Sequence, residues 1–334
     1  MTGAGTEARQ VPEISVIVAT FDRPAALARC LNSLLGQKLT RMFEIIVVDN
    51  HPQSRLTAAV AERFPTVRWL QEPVAGLSVA RNTGIKSALG AVLVTTDDDV
   101  IAPTDWLERL TTPLFQDENR EDENREDKNP PAATTGNCLP WKVETEAEAL
   151  FEAYGGLRHG EKSVEFDTPW VKRRRLWFPQ LWRIGSAANA AFRASLFHEP
   201  AVGLFETRLG AGSPAGAWED LYLFYRILNA GYRIRYLPEA QLEHAHREDL
   251  AALNRQLCAY RRGETAFLTL VLIRHRDWRA IGQVLYWIPQ YRVALLLREL
   301  GRRLSGRRRF LLRVIFSETL CYLAGPWSLW RGSR

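Results

Sequence analysis

The chain has 334 residues, of which 46% are hydrophobic and 25% charged, and these fractions are typical of globular proteins. It contains no uninterrupted apolar run of the roughly 18 residues that a membrane-spanning helix needs. The opening residues also lack the apolar core of an export signal. Residues 298–334 hold nine Arg and two Glu, whereas the rest of the chain sums to a net charge of −1. This distribution argues against a catalytic domain that binds nucleic acid and predicts an anionic partner surface for the basic tail.

Strands and helices alternate along the first hundred residues. Apolar runs predict strands at 14–20, 43–50, 67–70 and 92–96, and helical spacing predicts helices at 25–35, 56–64 and 76–89. This alternation predicts an α/β fold with a mostly parallel sheet and helices on both faces. Ligands bind such sheets at the carboxyl ends of the strands, where Thr20, Asp49 and Asp97–Asp99 are expected.

Three consecutive carboxylates, Asp97, Asp98 and Asp99, follow the fourth predicted strand. They repel one another and are unfavourable to bury unless a divalent cation or hydrogen-bond donors neutralise them, which favours a metal site. A helix cap is the alternative interpretation. Asp49 is either a ligand-binding residue or part of a turn, because Asp-Asn-His-Pro is a favourable turn sequence.

The middle of the chain is less regular. Residues 117–131 are charged, repetitive and free of apolar side chains, which predicts a solvated, mobile loop. A strand is predicted at 133–138 and a helix at 143–154. The basic run 172–175 favours a solvated face, with phosphate contact as the alternative. The small residues at 185–193 indicate either tight packing of two elements or close approach to a ligand.

Glu219 and Asp220 come directly before a helical pattern that ends at Gly231, so they are either capping or functional residues. A strand is predicted at 232–237, closed by Pro238. His244 follows it, and imidazole is a common ligand for a metal that carboxylates already hold.

From about residue 251 the sequence becomes rich in Leu, Arg, Trp and Tyr with helical spacing. Arginines among leucines, with Trp327 and Trp330 near the end, suit a helix that lies in a membrane interface. A helical hairpin packed on the preceding domain, or a dimer surface, would give the same pattern. The four Cys residues are widely spaced and are expected to be free cytosolic thiols.

Together these blocks resemble a family 2 glycosyltransferase of the GT-A fold. The resemblance covers about Ser15 to His244 and rests on SVIVATFDRPAALARCLNSLLGQ, EIIVVDN, GLSVARNTGIKSALGAVLVTTDDDV, GSAANAAFR and WEDLYLFYRILNAGYRIRYLPEAQLEH. It implies a nucleotide-binding half fused to an acceptor-binding half around one sheet.

The resemblance also assigns roles in donor binding. It implies that Thr20, Arg23 and Asp49 hold the nucleotide, with Asp49 reading the base, and that Arg81 lies near the diphosphate. The donor would be a UDP-, GDP- or dTDP-linked sugar.

The family's DxD motif corresponds to the acidic run. Asp99 would bind a divalent cation, Mn²⁺ or Mg²⁺, while Asp97 and Asp98 would contact the metal shell, the ribose or the sugar. His244 matches a histidine that is a metal ligand in some members of the family, so the expected metal ligands are Asp99, Asp97 and His244.

The family's ED motif corresponds to Glu219 and Asp220, with Asp220 as the expected catalytic base. It would deprotonate an acceptor hydroxyl in line with the anomeric carbon, which inverts the configuration. The string Gln180–Ile184 lacks the final Trp of the processive synthases' Gln-x-x-Arg-Trp motif and precedes Glu219. We therefore expect a non-processive enzyme.

The expected organisation is a disordered N-terminus, a GT-A domain and a helical, basic extension. Their bounds are 1–13, 14–250 (with halves 14–112 and 132–250) and 251–334. Contact through 264–334 would place the protein in the cytoplasm, at the inner face of the cytoplasmic membrane. There it would act on a glycan or lipid-linked acceptor in polysaccharide assembly.

Three other functions remain as alternatives. A nucleotidyltransferase would carry a Gly-rich, basic phosphate loop, which residues 19–24 do not form. A phosphatase would place its Asp-x-Asp motif on the first strand, far from Asp97. A catalytically silent nucleotide-sugar-binding or scaffold protein is disfavoured by the intact Asp99 and Asp220.

Overall fold

The described residues of the computed structural model are 11–115, 130–173, 177–304 and 312–331. Most of the predicted disordered N-terminus, most of the charged loop and part of the basic tail therefore lie outside them.

The described strands form one nine-stranded sheet in the order β3-β2-β1-β4-β8-β6-β9-β5, with β7 beside β9. Their bounds are β1 Ile14–Thr20, β2 Phe43–Asp49, β3 Arg68–Gln71, β4 Val92–Asp97, β5 Val100–Ile101, β6 Ala133–Pro140, β7 Val164–Phe166, β8 Asn189–Arg193 and β9 Ile234–His244. Six strands run in one direction, while β5, β7 and β8 run in the other. The sheet is therefore mostly parallel, as predicted.

Helices cover both faces of this sheet. Their bounds are α1 Pro24–Leu35, α2 Ala58–Arg63, α3 Leu77–Ser87, α4 Trp106–Thr111, α5 Glu146–Tyr154, α6 Thr168–Lys172, α7 Glu219–Asn229, α8 Leu250–His275, α9 Arg279–Gly282, α10 Ile288–Leu304 and α11 Leu312–Arg331. Side chains alternate across β1, so Ile17 packs with α3, α7 and α8 while Val16 and Val18 pack with α1, α2 and α4. The sheet is thus buried on both faces, which explains its nearly continuous apolar strands.

The predicted end of a strand at Pro238 is wrong, because β9 continues to His244. The register with β6 shifts at this point: Gly136 is paired with Leu237, and Asn137 with Gln241. The residues between form a bulge, where a proline costs no regular ladder hydrogen bond. The extension matters for the site, since it carries His244 to the carboxyl end of the sheet.

The described part of the C-terminal segment packs on the rest of the chain. Val314 and Ile315 of α11 are buried against Leu253 and Leu257 of α8. The buried Glu318 accepts hydrogen bonds from three side chains on three other helices: Tyr154 Oη at 2.7 Å, Arg292 Nη1 at 2.8 Å and Arg261 Nε at 3.2 Å. This packing corresponds to the alternative of a helical hairpin packed on the preceding domain. Within the described ranges, no helix is both long and apolar enough to cross a bilayer.

Candidate active site

The carboxyl ends of β1, β2 and β4 lie level with one another. The strand register pairs Ala19 with Asp97 and Thr20 with Asp49. The turn after β4 then carries Asp98 and Asp99 before β5 begins. The predicted polar residues therefore share one edge of the sheet. The capping alternative for the acidic run does not hold, because the next helix begins only at Trp106.

Asp97, Asp99 and His244 come together as a potential cation site. One ligand atom from each lies within 4.8 Å of the others. The pairing of β5 with β9 sets His244 beside the acidic turn, and its Nε2 lies 3.4 Å from Asp99 Oδ1 and 3.5 Å from Asp97 Oδ2. Asp99 Oδ1 is buried and accepts no hydrogen bond from the described residues. Two carboxylates and one imidazole around such an atom suit a divalent cation.

Without a cation, protons and ion pairs balance the charge at this edge. Burial lowers the pKa of His244, but the charge of Asp99 and the hydrogen bond and charge of Asp97 outweigh it and raise the pKa to about 9. Burial likewise raises the pKa of Asp97, but its contacts with His244 and the charges of Arg81 and Arg23 hold it well below its usual range. The protonated His244 thus occupies the position where positive charge is favoured.

Arg23 and Thr20 hold the middle carboxylate, Asp98. Thr20 Oγ1 donates to Asp98 Oδ2 at 2.7 Å, Arg23 Nη2 lies 2.5 Å from Asp98 Oδ1, and Arg23 also pairs with Asp99. Asp98 is fully buried, and burial raises its pKa to about 7 although Arg23 opposes the shift. Arg23 is 36% exposed, so it is the member of this group that solvent and a ligand can reach.

Arg81 joins the two acidic motifs. Its Nη2 donates to Asp97 Oδ1 and its Nη1 to Glu219 Oε1, both at 2.8 Å. The Arg81 side chain is only 2% exposed and Glu219 is also buried. Burial raises the pKa of Glu219 to about 7, with a further rise from the charge of Asp220 and a reduction from Arg81. The guanidinium of Arg81, which the resemblance assigns to the neighbourhood of the diphosphate, thus binds these two carboxylates.

Asp220 lies in the first turn of α7, next to the segment of small residues. Its Oδ2 accepts a hydrogen bond from the backbone N–H of Ala187 at 3.2 Å, and its Oδ1 accepts one from Leu221 N at 2.8 Å. The small residues pack tightly, since a Cβ on Gly185 would lie 2.7 Å from Thr135 Cβ. The segment is therefore close-packed, as one of its two interpretations predicts, and it also holds Asp220.

The residue before the Glu-Asp pair has a strained backbone. Trp218 has φ of 75°, in the left-handed region that large side chains rarely adopt. Its ring stacks on Phe267 of α8 with ring centroids 5.2 Å apart. Gly263, one turn earlier on α8, allows this approach, because a Cβ there would lie 2.8 Å from the Ala217 carbonyl oxygen and 2.9 Å from Trp218 Cδ1.

Gly263→Ala is therefore expected to displace the start of α7 and reduce catalysis. The overpacking should lower the free energy of unfolding by about 1–3 kcal/mol. Transfer rate and thermal stability measure the two effects. Gly301→Ala is the matched control, because no described atom outside its own helix backbone and adjacent residues lies within 4 Å of its Cβ position, and the change should be neutral or stabilising. A wild-type transfer rate in Gly263→Ala would contradict this role of α8.

Asp49 lies at the same edge but outside the acidic cluster. It is buried, and its Oδ1 accepts the backbone N–H of His51 at 3.0 Å, which is the predicted turn geometry. Sequence reasoning missed its neighbours. Phe21 stacks on His51 at 4.8 Å, and Asp22 binds His51 Nδ1 and Ser54 Oγ, each at 2.5 Å. The signal available in the sequence was an aromatic residue, Phe21, directly after the predicted strand 14–20.

Solved glycosyltransferases have a similar fold. The mannosyltransferase PcManGT from Pyrobaculum calidifontis, in complex with GDP-Man and Mn²⁺, matches 97% of this chain and 74% of its own, with 19% identity and a TM-score of 0.52. TarS 1–349 from S. aureus, in complex with UDP, matches 96% of this chain and 92% of its own, with 16% identity and a TM-score of 0.50. The fold is that of the GT-A glycosyltransferases, as the sequence predicted.

The N-terminal third of the chain matches a known family in sequence. Residues 15–122 match the model described as glycosyl transferase family 2. Glycosyltransferase AglE from Haloferax volcanii is 32% identical over 105 residues, which cover 30% of this chain and 34% of that protein. The matching stretch spans about a third of the length of the first curated relatives. Over residues 15–122 the chain thus matches glycosyl transferase family 2, in agreement with the resemblance seen in the sequence.

Proposed function

We propose that the protein transfers a sugar from a nucleotide-diphosphate donor to a hydroxyl group of a glycan or lipid-linked acceptor, with inversion and with a divalent cation. The observation that carries this proposal is the link Asp97–Arg81–Glu219, which joins the acidic turn to the Glu-Asp pair. It brings a candidate cation site and a candidate base to one edge of the sheet. Two proteins with a similar fold bind GDP-Man with Mn²⁺ and UDP, respectively.

Asp97, Asp99 and His244 would hold the cation, Mn²⁺ or Mg²⁺. A divalent cation supplies positive charge that stabilises the leaving diphosphate. His244 must be neutral to act as a ligand, so it would give up the proton that its raised pKa retains at pH 7. The half-exposed Arg23 would add positive charge near the phosphates, while Thr20 keeps Asp98 in place.

The nucleotide would lie over the ends of β1 and β2. Asp49 would read the base, and the exposed ring of Phe21 offers a stacking surface beside it. Arg81 would act as a positioning residue for Asp97 and Glu219. We assign residues 14–112 to this nucleotide-binding half, 132–250 to the acceptor-binding half and 251–334 to the helical extension.

Asp220 would act as the catalytic base. Its carboxylate is held by two backbone N–H groups, which orient it toward an acceptor hydroxyl. Proton abstraction on the side opposite the diphosphate gives direct displacement at the anomeric carbon, and hence inversion. The buried Glu219 is paired with Arg81 and would position the start of α7.

Calorimetry with a donor panel tests this proposal. UDP-, GDP- and dTDP-sugars are titrated with Mn²⁺, with Mg²⁺ and with EDTA, against wild type and Asp99→Ala. We expect one nucleotide class to bind in the presence of metal and to lose most of its affinity in Asp99→Ala, because that change removes a ligand from the cluster. If no donor bound under any condition, the scaffold alternative would replace the enzyme proposal.

We further propose that the helical extension contacts an anionic membrane surface at the cytoplasmic face. Nine large apolar side chains of the extension are each more than 60% exposed: Ile273, Trp278, Leu285, Leu297, Leu304, Leu320, Leu323, Trp327 and Trp330. Residues 298–334 add a net charge of +7. Exposed apolar and Trp side chains among arginines fit the interface of an anionic bilayer.

Vesicle sedimentation tests the membrane contact. Removing the tail would uncover the buried face of α8, so point changes on α11 are preferable. The triple variant Leu320→Ser, Leu323→Ser and Trp327→Ser should lose most of its co-sedimentation with phosphatidylglycerol vesicles. The control changes Val74 and Leu89 to Ser, which are similarly exposed on the catalytic domain. Equal sedimentation of both variants would contradict the proposal.

A further inference from the structure

A cavity of about 240 Å³ lies outside the acidic edge described above. Its described lining comes from α6, from Arg173 and residues 177–180, and from the short helix Leu181–Arg183. The polar and aromatic members of the lining are Trp170, Arg173, Trp177, Phe178, Gln180 and Arg183. This volume suits a small head group, since cavities for drug-sized ligands are larger.

The charge of this cavity is positive and uncompensated. Arg173 and Arg183 are both exposed, and neither forms an ion pair within the described ranges. None of the lining residues is acidic. A nearby arginine, Arg279, is different, because Asp277 Oδ2 lies 2.6 Å from its Nη2. Two free guanidinium groups beside a small cavity provide the fork-shaped donors that bind phosphate oxygens.

The walls of the cavity are aromatic and rigid. Phe178 is buried and stacks on Tyr225, with ring centroids 5.8 Å apart, and Trp170 packs edge-on against Phe166 at 4.8 Å. These contacts fix the rings before any ligand arrives. Aromatic rings bind apolar parts of a ligand. The cavity therefore combines arginines for an anionic group with aromatic walls for an apolar one.

The cavity continues into the exposed apolar surface of the extension. Trp177 packs against Trp287 at 4.9 Å and Tyr286 at 5.8 Å. Tyr286 is 49% exposed, and its neighbour Leu285 is 73% exposed. A ligand with an anionic head in the cavity could thus lay an apolar chain against these exposed side chains.

We propose that this cavity binds the phosphate or diphosphate head group of an amphiphilic acceptor, whose apolar chain lies along the Trp177–Trp287 surface. This inference rests on the proposed function, because it names the acceptor's chemical class. Arg183 also lies four residues before Ala187, whose backbone N–H binds Asp220. The segment that lines the cavity thus continues directly to a backbone N–H group that holds the candidate base.

Fluorescence and calorimetric titrations in EDTA test the site without donor or metal. The probes are farnesyl diphosphate, farnesol and inorganic pyrophosphate, so that head group and chain are tested together and apart. Wild type should bind farnesyl diphosphate more tightly than either part. The double variant Arg173→Gln and Arg183→Gln should bind it at least about tenfold more weakly, because it loses both charged donors. Trp177→Ala should weaken the binding of farnesyl diphosphate but leave the binding of pyrophosphate unchanged.

A matched variant controls for general charge effects. Arg63→Gln with Lys86→Gln removes the same charge from exposed positions on the nucleotide-binding half and should bind like wild type. Equal affinity of wild type and the Arg173/Arg183 variant would overturn the proposal, as would equal binding of farnesol and farnesyl diphosphate. Failure of donor binding in the calorimetric panel would instead reject the glycosyltransferase function, and these titrations contain no donor.

Discussion

Replacing Asp220 by Asn should lower the transfer rate by about 10²–10⁴-fold, the contribution typical of a positioned general base. The amide cannot accept the proton of an acceptor hydroxyl. The amide has the same shape and keeps one oxygen that can accept from Ala187 N or Leu221 N, so only one of the two hydrogen bonds at the start of α7 is lost. Donor affinity should stay near the wild-type value, because Asp220 is not among the residues of the cation cluster.

Glu219→Gln is the matched control for this prediction. Glu219 is buried with a pKa raised to about 7, so the protonated form already exists near neutrality and the neutral amide resembles it. Gln can still accept from Arg81 Nη1. We expect a smaller loss of rate than in Asp220→Asn, measured by initial rates at saturating donor. Wild-type transfer by Asp220→Asn would refute the base assignment, and a larger loss in Glu219→Gln would transfer that role to Glu219.

The first four strands could be predicted closely from local sequence. Residues 14–20 and 92–96 are short apolar runs bounded by polar residues, and a parallel sheet buried on both faces requires such runs. Because parallel strands align at their carboxyl ends, the shared edge of Thr20, Asp49 and the acidic run followed from topology. The periodicity of the sequence and the order of the strands thus predicted most of the candidate site.

The remaining features depend on contacts between residues distant in sequence. The link from Arg81 to Glu219 spans 138 residues, and no local pattern distinguishes this arginine from one that faces a ligand. The extension of β9 past Pro238 depends on a bulge against β6, which propensity cannot foresee. The backbone of Trp218 is likewise set by its packing on α8.

Replacing Arg81 by Met should be the most destabilising single change at the site. Arg81 is 2% exposed and is the shared partner of Asp97 and Glu219. Removing it leaves the buried Glu219 without its cationic partner and Asp97 with only His244 and Arg23 nearby, and breaking a buried pair costs about 3–5 kcal/mol. Transfer activity should fall with it, because Asp97 belongs to the cation cluster and Glu219 begins α7.

The loss of folding stability in Arg81→Met should depend on pH in a defined direction. Without Arg81, the pKa of Glu219 should rise above its present value of about 7, and that of Asp97 should rise as well. A carboxyl group whose folded pKa is raised stabilises the fold below its unfolded pKa and loses this contribution as pH rises through the folded pKa. The part of the difference between wild type and Arg81→Met that comes from Glu219 should therefore be absent near pH 4.5, the ordinary pKa of Glu, and grow toward pH 8. The part that comes from Asp97, whose pKa is lowered in wild type, is already present at pH 4.5 and should stay constant over this range.

Urea unfolding of the metal-free protein across this pH range measures the effect. Arg81→Lys should retain part of the stability, because one ammonium group can approach one carboxylate but cannot bridge two with the same geometry. Arg68→Met removes the exposed ion pair with Glu44, in which Arg68 is 40% exposed, and such pairs are worth about 0–1 kcal/mol. An Arg81→Met variant as stable as Arg68→Met at pH 8 would mean that the two acidic motifs do not depend on Arg81 for their charge balance.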